Sequence, residues 1–137
     1  MVNFFNSANA PGPVGLYPHA KRVGNLLFLS GVGPRKRGET KIPGVVLGER
    51  GEVLKYDIEK QCVSVFENIK IILNDSGSCW DNIVDVTTFL TNMRRDFDAY
   101  NKLYARHFKG PFPTRTTIEV GSLPTPIAIE LKVIATI

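Results

Sequence analysis

Apolar and polar positions follow two different periods along this chain, and the changes of period mark its elements. From Ile58 to Asn74 the residues Ile58, Cys62, Val65, Phe66, Ile69, Ile72 and Leu73 recur at helical spacing, which predicts one amphipathic helix. Asp57 stands where an N-cap acceptor is wanted, Glu59 suits the positive end of the helix dipole, and Gly77 supplies the stop. Phe97, Tyr100, Leu103, Tyr104 and Phe108 predict a second helix over Phe97 to Phe108, with Asp96 as its N-cap and Gly110 as its terminator.

The remaining apolar segments read as strands. Lys21 to Val23 and Leu26 to Ser30 flank Gly24-Asn25, a two-residue hairpin signal. Val84 to Leu90 is rich in β-formers. Thr114 to Val120 and Ile127 to Ile137 follow, joined by Gly121-Ser122-Leu123-Pro124 and read as hairpin-connected. In the last strand Ile127, Ile129, Leu131, Val133 and Ala135 share one side. Ala128, Glu130, Lys132, Ile134 and Thr136 share the other, a mixed face suited to meeting another subunit. The entry through Pro18 is turn-rich, with room for a short strand at Val2 to Phe5. Gly31 to Glu52 is the longest loop, with room for an edge strand at Val45 to Leu47. The order predicts an α+β single domain over residues 1–137, a mixed sheet with two helices packed on one face.

Composition narrows the class. With 43% hydrophobic and 22% charged residues in 137, the chain is an ordinary globular domain rather than a disordered or fibrous one. No apolar run approaches the roughly 18 residues of a membrane span, and no basic-then-apolar leader opens the chain, so a cytoplasmic protein is expected. Two cysteines, Cys62 and Cys79, are too few for a disulfide scaffold. A net charge of +4 permits acidic ligands without demanding nucleic acid.

Candidate chemistry is sparse. His19 and His107 lie in unrelated segments without metal-ligand spacing, so no metal is expected. Ser30 and Ser122 lack a nucleophile-elbow context, and Cys79 has no adjacent cation to activate it. Arg35-Lys36-Arg37 is either a solvated loop or a docking site for an anion. The most informative pair is Arg115 and Glu130, two charges inside strands, where a charge is costly unless paired or used. Across a hairpin they would approach each other. They form either a structural ion pair or a site in which Arg115 holds a substrate carboxylate and Glu130 handles water.

Gly15-Leu16-Tyr17, Gly24-Asn25 to Ser30-Gly31, Asp57 to Gln61, Asn68, Tyr100-Asn101, Pro113-Thr114-Arg115, Leu123-Pro124 and Ile129-Glu130 occur in an order and spacing that resembles the Rid (YjgF-like) family over nearly the whole chain. Tyr17-Pro18-His19-Ala20-Lys21-Arg22, the basic run after Gly31, and Pro113 to Thr117 look most like 2-aminomuconate deaminases. The resemblance implies a chorismate-mutase-like fold and a homotrimer with clefts between subunits. It also implies cofactor-free hydrolysis of enamines and imines to keto acids and ammonia. It assigns the substrate carboxylate to Arg115 and the attacking water to Glu130, with Tyr17, Ser30, Gly31 and Asn101 lining the cleft. Thr117 replaces a frequent cysteine and Val32 a usual glutamine, departures that argue against short 2-aminoacrylate-type substrates. A substrate with a second carboxylate would want Arg35, Arg37, Lys21 or Arg22, with His19 as a donor. The alternatives are a general 2-imino-acid deaminase and an RNA-binding regulator. The latter is disfavoured because no strand interleaves aromatic with basic residues.

Overall fold

The computed structural model describes residues 2–137. Helix α1 (Ile58–Asp75) begins on Asp57, whose side chain accepts from the Lys60 amide at 3.1 Å. It ends in a Schellman motif: the Ser78 amide donates to Leu73 O at 2.9 Å and the Gly77 amide to Asn74 O at 3.3 Å. Gly77 has φ +83°, a conformation that glycine adopts without penalty.

Helix α2 (Met93–His107) starts four residues before the expected Phe97. Its N-cap is Asn92, which accepts from the Arg95 amide at 3.0 Å, and not Asp96. Asp96 lies buried in the first turn and accepts from the Tyr56 hydroxyl at 2.6 Å. The polar Arg94 and Arg95 hide this turn from an apolar period.

Six strands make a mixed sheet in the spatial order β1-β2-β3-β8-β6-β7. They are β1 (Val2–Phe5), β2 (Ala20–Val23), β3 (Leu26–Leu29), β6 (Ile83–Leu90), β7 (Thr114–Glu119) and β8 (Ile129–Thr136). Strands β4 (Val45–Leu47) and β5 (Val53–Tyr56) form a separate hairpin, of which the second strand lay outside the expectation. A 3-10 turn, Trp80–Asn82, leads into β6.

The expected hairpin between the last two strands is not formed. β7 pairs in parallel with β6, joined to it through α2, while β8 lies antiparallel between β3 and β6. Closing the chain with a strand at the sheet's centre explains why Ile129, Leu131, Val133 and Ala135 are fully buried under the helices. A two-residue turn signal would have specified a hairpin, whereas the longer link after β7 leaves the partner open.

The opposite face is left bare. Val2, Phe4, Val23, Leu26 and Ile118 are each 39–64% exposed. The chain exposes 7857 Å², roughly a tenth more than scaling expects for 15.2 kDa. No helix among the described residues is long and apolar enough to cross a membrane.

Candidate active site

Glu130 sits on β8 opposite Phe89 of β6, on the bare side of the sheet. The chain after β3 crosses β8 there. The Val32 amide donates to Leu131 O at 2.8 Å and the Leu131 amide to Val32 O at 3.0 Å. This brings the Gly31 backbone onto the Glu130 carboxylate. A Cβ at residue 31 would lie 2.6 Å from Glu130 Oε2, so any larger residue there would displace the carboxylate from this position. The half-buried carboxyl is raised above its ordinary pKa by loss of solvent. Ser30 is held by its amide on His19 O at 3.0 Å and by Oγ donating to Pro18 O at 2.8 Å.

Tyr17, His19, Ser30, Gly31 and Arg35 line one hollow of about 40 Å³, walled by Pro11, Gly12 and Pro13. That wall was not anticipated, and three consecutive carbonyls of it are held from outside. Arg37 donates to Ala10 O at 3.0 Å, His19 Nε2 to Pro11 O at 2.7 Å, and Arg35 Nη2 to Gly12 O at 2.9 Å. His19 Nδ1 accepts from the Ser7 amide at 2.9 Å, which fixes the tautomer and commits both ring nitrogens to backbone. Lys36 pairs with Glu67. The basic run is therefore bound to the fold and is not a freely solvated loop. Only Arg35 of the three lines the hollow.

Arg115 lies elsewhere. It sits on β7 beside Val86, on the face that carries the helices, and Thr117 lies beside buried Thr88 on that face. Arg115 Nη2 donates to Asn101 Oδ1 at 2.8 Å, which brings two of the expected site residues together. Its guanidinium carbon is 4.7 Å from the Tyr104 ring centre and 5.2 Å from that of Tyr100. Both tyrosines are held neutral, their hydroxyls pushed up by burial, so the aromatic wall opposes Arg115 with π faces and not with charge. Sequence periodicity assigned Tyr100 and Tyr104 to the core and gave no signal of this second role.

Within one chain, then, Arg115 and Glu130 do not form an ion pair. They occupy opposite faces of the sheet, on β7 and β8 with β6 between them. Cys62 lies in the core with its thiol pushed up to about 12 by burial. Among the described residues, no three His, Cys, Asp or Glu side chains gather as a metal site would require.

A single α+β domain with two helices packed on a mixed sheet and a central antiparallel last strand belongs to the chorismate-mutase-like structural class. Comparisons with known proteins narrow this. The family model described as endoribonuclease L-PSP matches residues 7–137. A RutC family protein of Pyrococcus abyssi is 37% identical over 126 residues, covering 92% of this chain and 90% of that protein. A 2-iminobutanoate/2-iminopropanoate deaminase of Dermatophagoides farinae is 32% identical over 129 residues, covering 93% and 91%. The crystal structure of yeast Mmf1 superposes with a TM-score of 0.83 at 32% identity, covering 99% of this chain and 98% of that one. The chain belongs to the L-PSP/YjgF/Rid family.

Proposed function

We propose that the protein hydrolyses 2-imino acids and their enamine tautomers to 2-oxo acids and ammonia, without a cofactor, in clefts completed between copies of the chain in a homotrimer. The observation that carries this reading is the division of the site into two halves. Arg115 with Asn101 is built to hold a carboxylate, and Glu130, packed against the Gly31 backbone, is built to hold a proton; Gly31 and Ser30 also line a small hollow, whose lining does not include Glu130. At about 40 Å³ that hollow is far smaller than the ~300 Å³ or more of a typical ligand site, which supports a cleft completed by another chain. The bare face of the sheet, with Val2, Phe4, Val23, Leu26 and Ile118 exposed on it, supports such an assembly. The name of the mite relative, a 2-iminobutanoate/2-iminopropanoate deaminase, supports the chemistry.

The reaction asks little beyond orientation and a proton path. An enamine first gains a proton at carbon and becomes the imine. Water adds to the imine carbon, the nitrogen takes a proton, the C–N bond breaks and ammonia leaves. Arg115, steered by Asn101 and the tyrosine faces, binds the substrate carboxylate through its planar fork. Glu130, with its affinity for protons raised by burial, takes the proton from water and returns it to nitrogen.

The narrower substrate we propose is 2-aminomuconate, a six-carbon diacid. The observation favouring it is Arg35, a second cation lining the Ser30–Gly31 hollow. The test is ammonia release from freshly generated 2-aminomuconate and 2-iminopropanoate, measured side by side with wild type and Arg35→Gln. A charge-assisted contact is worth ~1.5–3 kcal/mol, so the variant should lose roughly ten- to a hundredfold more on the diacid. Equal losses on both substrates leave the general imine deaminase and discard the diacid specificity. No ammonia from either substrate with wild type would overturn the proposed activity.

A further inference from the structure

We infer that Gln61, Ser64 and Asn68 on α1 are positioning residues that set the approach of Glu130 to Gly31. This deepens the deaminase reading and rests on it. The three side chains are 0%, 3% and 1% exposed, on the inner face of an otherwise apolar helix stripe. Polar groups in such a place are costly unless each finds a partner. All three reach backbone that flanks the Gly31–Glu130 contact. Gln61 Oε1 accepts from the Ala128 amide at 2.9 Å, two residues before Glu130. Ser64 Oγ donates to Pro34 O at 2.7 Å, and Asn68 Nδ2 donates to Gly33 O at 2.9 Å and to Arg35 O at 2.7 Å.

The partners settle which amide atom does the work. A backbone N–H only donates, so Gln61 must present oxygen. Two carbonyls only accept, so Asn68 must present nitrogen. The Ala128 carbonyl is also fixed, accepting from the Thr91 amide at 3.1 Å, so the entry of β8 is held from both sides. The 33–35 segment and β8 are joined at Val32–Leu131. One helix therefore docks both sides of the Gly31–Glu130 contact. Gln61 Nε2 has no hydrogen-bond partner among the described residues, so the amide serves there as an acceptor. A leucine would fill the same space but leave the Ala128 N–H unpaired beneath the residue that handles the proton.

The test compares Gln61→Leu, Gln61→Glu and Asn68→Asp with wild type. The readouts are kcat and KM for 2-iminopropanoate and the Glu130 titration, followed by NMR of carboxyl-labelled protein and assigned with Glu130→Gln. Gln61→Leu should lower kcat roughly ten- to a hundredfold, as a misplaced catalytic group does, with KM changed less than about twofold. Its Glu130 midpoint should fall toward the ordinary carboxylate range as the side chain leaves its desolvated seat. Gln61→Glu, neutral when buried, keeps the acceptor and should restore both readouts. Asn68→Asp loses the donors and should not restore kcat. An unshifted Glu130 midpoint in folded Gln61→Leu, or a Gln61→Glu that behaves like Gln61→Leu, overturns the inference. If Gln61→Leu does not fold, the contrast between Gln61→Glu and Asn68→Asp decides: equal kcat for the two overturns it. The titration reads the positioning without any turnover, so absence of wild-type activity would sink the deaminase reading and leave this measurement standing.

Discussion

At Glu130 the fold accepts a cost in return for a proton-binding group. Burial raises its carboxyl above the ordinary range, so the folded chain binds that proton more tightly than the unfolded chain does. The sign follows from linkage. The stability this group contributes is intact below the unfolded value of about 4.3 and is lost as pH rises through the folded value. Glu130→Gln carries no such loss. It should melt above wild type at about pH 8, with the gap closing near pH 4, while its turnover falls about a hundredfold or more. Scanning calorimetry at several pH values with a parallel ammonia assay checks both. A variant that melts below wild type at every pH would make Glu130 a structural carboxylate. The sequence marked Glu130 because a charge inside an apolar strand is conspicuous. Gly31 carried no such mark, since its need for a bare backbone arises only when β8 passes beneath it.

Among the elements, those defined by local rules were legible and those defined by long-range pairing were not. Helix α1 has its apolar stripe, its Asp57 cap and its Gly77 stop all in view in one continuous stretch of sequence. The first hairpin is read from Gly24-Asn25, and Gly24 takes φ +59° as such a turn requires. The site of β8 was not readable, because its two neighbours lie far away in the chain and its own alternation suits any centre strand. That error had a functional consequence: a β7–β8 hairpin would have put Arg115 and Glu130 together in one chain. The start of α2 was missed for a different reason. Asn92 and Asp96 are both plausible caps, and the choice turns on Tyr56, whose hydroxyl claims Asp96. The two roles are separable by denaturation: Asn92→Ala should cost about 1 kcal/mol, as loss of an N-cap does. An unchanged midpoint would return the cap to another residue.

At the scale of the whole molecule the proposed site needs a second copy of the chain. Arg115 faces the helical layer at the β7 edge, bonded to Asn101 of α2, while Glu130, with the Gly31 backbone against it, faces the bare side of the sheet. No motion of one side chain brings them together, because β6 stands between their strands. A second copy that laid its β7 edge against the first copy's Glu130 would do so, and three copies in cyclic order would complete every cleft. The most direct measurement is therefore complementation. Arg115→Ala and Glu130→Gln chains, each inactive alone, are unfolded together and refolded as mixed oligomers, and ammonia release is compared with wild type. If each cleft takes Arg115 from one copy and Glu130 from the next, random mixing should restore about a quarter of wild-type activity. If the mixture releases no more ammonia than its two parents, both residues serve one site within a single chain, and the account of a site completed between subunits is wrong.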